Sequence, residues 1–222
     1  MNACILTCTS LEEFVDAAQR SQNTSWPVYR VDRDLHAEPE RMKAAVGELM
    51  ASLPEEYDTV LVSMGFCGGV WDHVSFDRTV VVPRVDDCIS LLLHTDDEFH
   101  PNLKEMGHLY LYENDPADFS ALTLMHDTNS LGEDLKNINQ EFLFDMWFHN
   151  YRHMDIIDTG VNDCYSEEYA AAAQETADQI KADLDYVPGS IMLLEKLVSG
   201  RWDQQFLVAR PGEMLLHGGF FG

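Results

Sequence analysis

The chain has few positively charged side chains: 14 Lys and Arg stand against 39 Asp and Glu in 222 residues, which gives a formal net charge of −25. Such a chain repels polyanions, so we expect no nucleic-acid partner. Long apolar runs are missing as well. No stretch approaches the roughly 18 apolar residues that indicate a membrane span, so no membrane partner is expected. No basic segment precedes the apolar residues 1–8, which argues against an N-terminal signal.

Cysteines are few and widely spaced. The five of them, an odd number, include no close Cys-x-x-Cys pair of the kind that zinc fingers use, and a chain of this length does not need disulfides to fold. We therefore expect a reduced, cytoplasmic setting, in which cysteines more often serve metals or catalysis. The Gly-rich stretch 65–69 lacks both the Gly-Lys-Ser/Thr of a phosphate-binding loop and the spaced glycines of a dinucleotide fingerprint.

What the sequence does contain is an alternation of short apolar runs with longer helical stretches. Hydrophobic residues make up 45% of the chain, enough for a sizeable core. The alternation predicts an α/β protein with a mostly parallel sheet and helices on both faces, a Rossmann-like arrangement. We interpret 1–222 as a single α/β domain, in which Pro116 and the polar stretch 127–133 could separate two lobes, 1–115 and 116–222.

The elements follow from local patterns. Ser10 and Glu13 have the spacing of a capping box, which predicts a helix from Ser10 to about residue 20. The other predicted helices cover 39–53, 88–93, 117–126, 133–149, 166–184 and 191–197. Apolar and β-branched runs predict strands at 3–8, 27–31, 59–64, 79–82, 109–112, 154–157 and 206–209.

Three cysteines follow predicted strands. Cys8 ends the first strand, Cys67 lies three residues after the third, and Cys88 follows the fourth after a short turn. In open parallel sheets, ligand sites lie beyond the carboxyl ends of the strands. We therefore expect the three thiols to converge on one point. Three thiolates and a fourth ligand suit zinc, and three cysteines could equally hold an iron–sulfur cluster.

The fourth ligand has two histidine candidates, His36 and His94, and Asp87 is a weaker one. If Cys88 opens a helix, the helix dipole favours its thiolate form. The alternative remains that each cysteine only fills space in the core. That is the interpretation we give to Cys4, and Cys164 is expected to be an inert loop thiol.

Further polar residues near the predicted strand ends are candidates for substrate binding or catalysis. Asp86 and Asp87 are candidate acid–base groups beside His36, although a helix cap is the simplest role for the aspartate pair. His149 and His153 are expected at a solvated helix end rather than as ligands. The candidate substrate-binding residues are Gly65, Gly68, Gly69, Arg84, Asp158 and Thr159. For Arg84 the alternative is an ion pair with Asp86, and for Asp158 and Thr159 it is a helix cap.

Several segments together resemble the DUF1638 family of bacterial and archaeal proteins of unknown function. Five motifs occur in the same order as in the family, over nearly the whole chain. They are Ile-Leu-Thr-Cys at 5–8, Leu-His-Ala-Glu-Pro-Glu-Arg-Met at 35–42, Gly-Phe-Cys-Gly at 65–68, Pro-Arg-Val-Asp-Asp-Cys at 83–88, and Tyr-Arg-His-Met-Asp-Ile-Ile-Asp-Thr-Gly at 151–160.

The resemblance has implications for the site. In the family, cysteines recur at the positions of Cys8, Cys67 and Cys88, and a histidine recurs at His36. Members often carry a histidine immediately before the last of these cysteines, where this chain has Asp87, so the resemblance favours His36 as the fourth ligand. Some members are encoded near corrinoid proteins and their methyltransferases, which implies one-carbon metabolism as the context.

Three functions follow as hypotheses. The first is a metal–thiolate enzyme, with zinc or an iron–sulfur cluster, of corrinoid-linked methyl or one-carbon transfer. The second is a non-catalytic metal-binding accessory protein that assists a corrinoid protein or methyltransferase. The third is a metal-free enzyme with Cys67 as the nucleophile, in which the amides of Gly68 and Gly69 form an oxyanion hole.

Overall fold

A computed structural model of the chain describes residues 1–119, 146 and 148–222. These residues divide into two compact units, one made of Met1–Leu103 and Ser190–Gly222 and the other of Lys104–Gly189. The chain thus changes unit after Leu103 and again after Gly189, whereas composition suggested a boundary between 115 and 116. The helices predicted at 117–126 and 133–149 fall largely outside the described residues.

The described secondary structure alternates strands and helices. The strands are β1 (Ala3–Cys8), β2 (Val28–Val31), β3 (Thr59–Val62), β4 (Val74–Ser75), β5 (Thr79–Pro83), β6 (His108–Leu111), β7 (His153–Asp158), β8 (Asp183–Pro188), β9 (Phe206–Ala209) and β10 (Met214–Leu215). The α-helices are α1 (Glu12–Gln22), α2 (Pro39–Ser52), α3 (Cys88–Leu92), α4 (Glu167–Ile180), α5 (Met192–Ser199) and α6 (His217–Phe221).

A five-stranded sheet forms the centre of the first unit, in the order β2-β1-β3-β5-β9. The first four of these strands are parallel, and β9 runs antiparallel to β5. Every residue of β1 and of β3 is buried. That burial explains why these strands appear in the sequence as continuous apolar runs rather than alternating ones. The mixed α/β class with a mostly parallel sheet is therefore confirmed.

The capping box predicted at Ser10 is wrong. A short 3-10 turn, Thr9–Leu11, follows β1 directly, and α1 begins only at Glu12 without a side-chain cap. The Ser10 hydroxyl lies 3.1 Å from the sulfur of Cys8 instead. The Ser-x-x-Glu spacing does not produce a capping box here, because the Ser10 hydroxyl pairs with the Cys8 thiol instead of a helix N–H.

The second unit has its own sheet of three parallel strands in the order β6-β7-β8. The N-cap of α4 is Ser166, whose side chain accepts a hydrogen bond from the backbone N–H of Tyr169. Small residues such as Ala173 and Ala177 let the helix pack into the core beside β7. The helix predicted to reach residue 184 ends at Ile180, and the strand β8 was not predicted.

None of the helices in the described ranges is long and apolar enough to cross a membrane.

Candidate metal centre

The four parallel strands of the first sheet each deliver one candidate ligand at the carboxyl edge. Cys8 is the last residue of β1, and His36 lies in the 3-10 turn that follows β2. Cys67 lies in the turn after β3, and Cys88 opens α3 after β5. Because these strands are adjacent and parallel, residues that immediately follow them share one edge of the sheet.

The structure brings three of these side chains into one compact group. The ligand atoms of His36, Cys67 and Cys88 all lie within 4.8 Å of one another. Two zinc–sulfur bonds of about 2.3 Å place sulfurs roughly 3.8 Å apart in a tetrahedron, so the group needs only a small contraction to hold a single ion. The sequence predicted that the three thiols converge; the triplet contains two of them, Cys67 and Cys88, together with His36.

Cys8 belongs to the same hydrogen-bonded cluster without being part of that compact triplet. Burial alone would raise the pKa of Cys8, but hydrogen bonds from His36 and Ser10 bring it below its ordinary value. His36 also makes a hydrogen bond with Cys88, and its contacts with the two thiols raise the pKa of the imidazole to about 11. The hydrogen bond between His36 and the sulfur of Cys8 therefore connects Cys8 with the triplet.

The ring of His36 is oriented from its other side. Its Nδ1 lies 2.9 Å from the backbone carbonyl oxygen of Arg33, which leaves Nε2 for the sulfurs or for a metal ion. A metal-binding histidine typically donates its second ring N–H to a carbonyl or carboxylate in this way, which fixes both tautomer and orientation. The turn itself is held in place, since the Arg33 backbone N–H donates to the hydroxyl of Thr9, directly after Cys8.

The turn that carries Cys67 has an unusual backbone. Cys67 has a φ of +46°, in the left-handed region that non-glycine residues seldom occupy, and Gly68 continues at +70°. The turn is fastened to the chain before Cys88, because the Cys67 backbone N–H donates to the carbonyl oxygen of Asp86 at 2.7 Å. A conformation that costs about 1–2 kcal/mol and is held by neighbouring backbone is characteristic of functional sites.

Cys88 occupies the first position of α3. The N-cap is Asp87, whose carboxylate accepts a hydrogen bond from the backbone N–H of Ser90 at 2.9 Å. A hydrogen bond with Cys67 and nearly complete burial raise the pKa of the Cys88 thiol well above its ordinary value. A cation bound to the sulfur of Cys88 would oppose this shift and favour its thiolate form.

The four side chains differ in exposure. Cys67 and Cys88 keep only 7% and 5% of their surface exposed, and Cys8 keeps none, whereas the residue His36 is exposed.

The other predicted site residues have varied places. Asp87 is the helix cap described above, and Asp86 uses its backbone carbonyl to hold the Cys67 turn. Gly65, Gly68 and Gly69 shape that same turn. Arg84 donates to the backbone carbonyls of Gly219 and Gln204 and stacks on the ring of Phe99, so it holds the C-terminal segment of the unit.

Asp158 and Thr159 lie at the end of β7 and belong to the second unit. There the Asp158 carboxylate accepts hydrogen bonds from the Tyr165 hydroxyl and the Gly160 backbone N–H. His94, the alternative fourth ligand, is buried with Nδ1 3.1 Å from the carbonyl oxygen of Ser90. Of the two histidine candidates, the triplet found among the described residues contains His36 and not His94.

All five cysteines are free thiols. Cys4 lies inside β1, and Cys164 belongs to the second unit. Burial raises the pKa of Cys4 to about 11, and burial also raises that of Cys164. Both are fully buried, which makes them suitable controls for the other three. Sequence reasoning missed Ser10 and the carbonyl of Arg33 as parts of the site. The only available signal was that each lies within three residues of a candidate ligand.

A family model described as "Protein of unknown function (DUF1638)" matches residues 31–198 of the chain. The matched range includes His36, Cys67 and Cys88 and begins after Cys8. No curated protein and no solved structure matches the chain.

Proposed function

We propose that this chain, which belongs to the DUF1638 family, is a zinc–thiolate protein whose ion is held by His36, Cys67 and Cys88, with Cys8 as the fourth ligand. The observation that carries the proposal is the compact triplet, with its ligand atoms within 4.8 Å of one another. His36, fixed by the Arg33 carbonyl and hydrogen-bonded to two of the thiols, supports it further.

Zinc fits this group better than an iron–sulfur cluster. A cluster has several iron atoms and needs its cysteines spread around it, whereas here one sulfur hydrogen-bonds directly to another. Mixed sulfur and nitrogen ligation at tetrahedral spacing is typical of zinc, and thiolates disfavour magnesium and calcium.

The centre suits the activation of a thiol. Cys8 is the member outside the triplet, so its position is the one at which an incoming thiol would exchange. A zinc ion lowers the pKa of a bound thiol and presents it as a thiolate nucleophile. We propose corrinoid-linked methyl transfer as the reaction, which the resemblance supports: the thiolate attacks the methyl carbon, and the electron pair of the broken cobalt–carbon bond stays on cobalt. A corrinoid protein is the proposed partner, in a reducing cytoplasm.

We also propose that the first unit is a Rossmann-like, doubly wound domain. The crossover through α1 leads from β1 to β2, and the one through α2 leads from β2 back past β1 to β3. Since such crossovers are right-handed, the two helices belong on opposite faces of the sheet. The strand order reverses between β1 and β3, the place where ligands bind in such folds, and Cys8 and Cys67 follow these two strands.

Metal analysis of protein purified without oxygen tests the zinc proposal. Wild-type protein is expected to carry close to one zinc per chain and Cys67→Ser much less. Cys164→Ser is the matched control, because it removes a buried thiol from the other unit and should leave the zinc content unchanged. Wild-type protein with less than half an equivalent of zinc, or equal loss in both variants, would contradict the proposal.

Cobalt substitution tests the role of Cys8. In the Co²⁺ protein, Cys8→Ser should keep the metal but lose about a third of the thiolate-to-cobalt absorption, because three thiolates become two. Retention of the full absorption would show that Cys8 is not a ligand.

The reaction is tested with methylcobalamin and a small thiol acceptor. Zinc-loaded protein should speed the loss of the cobalt–carbon bond, and Cys67→Ser should not. No turnover, together with recovery of a corrinoid protein in a pull-down, would favour the accessory role. Turnover by metal-free protein, abolished when one cysteine is alkylated, would favour Cys67 as a simple nucleophile.

A further inference from the structure

The ring of Phe66, the residue directly before Cys67, packs on the helix α6. Its centroid lies 5.0 Å from that of Phe220, 5.2 Å from that of His217 and 5.3 Å from that of Phe221, all of which belong to α6. Aromatic rings attract one another at centroid distances of about 4.5–7 Å. Phe66 and Phe220 are both buried, so water is largely excluded from the contact. The turn that bears Cys67 is thus fixed to α6 by the side chain of its neighbour.

The segment that leads into Cys88 is fixed to the same helix. Arg84 Nε donates a hydrogen bond to the carbonyl oxygen of Gly219, in α6, at 2.7 Å. The guanidinium is held on two further sides, because Nη1 donates to the carbonyl oxygen of Gln204 at 2.9 Å and Cζ lies 4.0 Å from the centroid of the Phe99 ring. The donors of a guanidinium lie in one rigid plane, so contacts on three sides fix its orientation. Arg84 therefore holds the start of the Cys88 segment against α6.

The helix α6 is itself anchored by residues other than Phe66 and Arg84. The backbone N–H of His217 donates to Asp72 Oδ1 at 2.7 Å. Gly219 lies so close to Leu207 of β9 that a β-carbon on the glycine would come 2.6 Å from Cδ1 of that side chain. The strand β10, which precedes the helix, pairs with β4. These contacts place α6 by means that involve neither Phe66 nor Arg84.

We propose that α6 positions the cysteine centre, and that Phe66 and Arg84 are the positioning residues through which it acts. The backbone N–H of Phe66 donates to the carbonyl oxygen of Val85, directly after Arg84, at 2.8 Å, which aligns the two segments. Cys67 must in addition be kept at a φ of +46°, a conformation that an L-residue leaves unless its surroundings hold it there. The ring of Phe66 on α6, and the guanidinium of Arg84 on the same helix, supply that restraint.

The consequence concerns the metal affinity of the centre. A ligand side chain that is already held in place loses less conformational freedom when it binds an ion, so the ion is bound more tightly. Loss of a contact behind a metal ligand typically weakens metal binding by about tenfold or more. This consequence rests on the proposed zinc site, whereas the accessibility of the Cys67 thiol in metal-free protein does not.

Two variants of the full chain, Phe66→Leu and Arg84→Gln, test the proposal, and together they guard against one that folds poorly. In metal-free protein, iodoacetamide should alkylate Cys67 several-fold faster in each variant than in wild type. In competition with a chelator, each variant should bind zinc about tenfold more weakly.

Arg78→Gln is the matched control. Arg78 is also a buried arginine whose guanidinium donates to a backbone carbonyl, that of Pro54 at 3.2 Å, but it lies before β5, at the opposite edge of the sheet from Cys88. The variant should be less stable than wild type and should keep the wild-type alkylation rate of Cys67 and the wild-type zinc affinity.

Wild-type rates of Cys67 alkylation in both Phe66→Leu and Arg84→Gln would overturn the proposal, as would an equal acceleration in Arg78→Gln. Unchanged zinc affinity in both test variants of a protein that binds zinc would overturn it as well. Faster alkylation in both test variants of a protein that binds no zinc would contradict only the proposed function.

Discussion

Gly65 packs directly against the backbone of Asp87: a β-carbon on Gly65 would lie 2.8 Å from both Cα and N of Asp87. It would also lie 2.8 Å from the carbonyl oxygen of Val85. Backbone atoms cannot move aside as the end of a flexible side chain can. The glycine is therefore what allows the turn bearing Cys67 to approach the segment that leads into Cys88.

Gly65→Ala should consequently be destabilising and should damage the metal centre. We expect the free energy of unfolding to fall by about 1–3 kcal/mol, which is the usual cost of overpacking a well-packed interior. We also expect a reduced zinc content. Urea unfolding and metal analysis measure the two effects. Gly47→Ala is the control: nothing lies within 4 Å of the added methyl, and the site is an exposed position inside α2. Because alanine favours the helix more than glycine does, Gly47→Ala should raise the free energy of unfolding by up to about 1 kcal/mol. A Gly65→Ala protein as stable as wild type would show that this contact is unimportant.

The second prediction concerns the nitrogen ligand. His36→Gln should weaken zinc binding by at least about tenfold, since loss of a ligand should cost no less than loss of an outer partner. Zinc competition with a chromogenic chelator measures the affinity. His94→Gln changes the other histidine that sequence reasoning considered, and it should bind zinc as wild type does. Equal weakening in both variants would contradict the assignment of His36.

The carboxyl-edge location of Cys8, Cys67 and Cys88 was predictable because it follows from a general rule. Strands that are buried on both faces are evident as apolar runs, and in a parallel sheet the residues after them share an edge. The direct contact of Cys67 with Cys88 depends in addition on β3 and β5 lying side by side, which only the structure shows.

Other features depend on contacts between distant segments and were not predictable. The partner of Ser10 is a sulfur rather than a helix N–H. The rings of His108 and His153 stack only because the register of β6 and β7 makes them partners. The strand β8 was missed for another reason: Asp183 and Asp185 alternate with Leu184 and Tyr186 as in a strand, but the preceding helix was extended through residue 184.

Thiol alkylation gives the third prediction. With zinc bound, Cys67 should react slowly with iodoacetamide, and a chelator should make it the first thiol to react, because it is the most exposed of the three in the centre. Cys4 should stay unmodified in either state. With a pKa of about 11 it is about one part in a thousand thiolate at pH 8, and it has no exposed surface. Peptide mass spectrometry assigns the modified residues. Labelling of Cys4 as fast as Cys67, or no protection by zinc, would contradict this.

The last prediction concerns pH and a buried ammonium group in the first unit. Lys196, in α5, has 6% of its side chain exposed and lies 2.7 Å from Asp203 Oδ2 and 2.6 Å from Gln205 Oε1. Partial burial opposes the charge on Asp203, but the hydrogen bond from Lys196 brings the carboxyl pKa below its ordinary value. Burial likewise opposes the charge on Lys196, yet hydrogen bonds with Asp203 and Asp97 raise the pKa of the ammonium.

The signs of the two shifts define a pH window. Because the pKa of the Asp203 carboxyl is lower in the folded protein than in the unfolded chain, the carboxylate stabilises the folded state at pH values above its unfolded pKa of about 4. This stabilisation is lost as the pH falls through the pKa of the folded protein. Because the pKa of the Lys196 ammonium is higher in the folded protein, its charged form stabilises the folded state at pH values below its unfolded pKa of about 10. This stabilisation is lost as the pH rises through the pKa of the folded protein.

Lys196→Met should therefore lower the free energy of unfolding by about 1.5–3 kcal/mol at pH 7, and by less at pH 3 and above pH 11. Lys181→Met, at an exposed lysine, should cost little at any of these pH values. A pH-independent cost for Lys196→Met, measured by urea unfolding, would show that packing of the side chain, rather than its charge, supports this part of the unit.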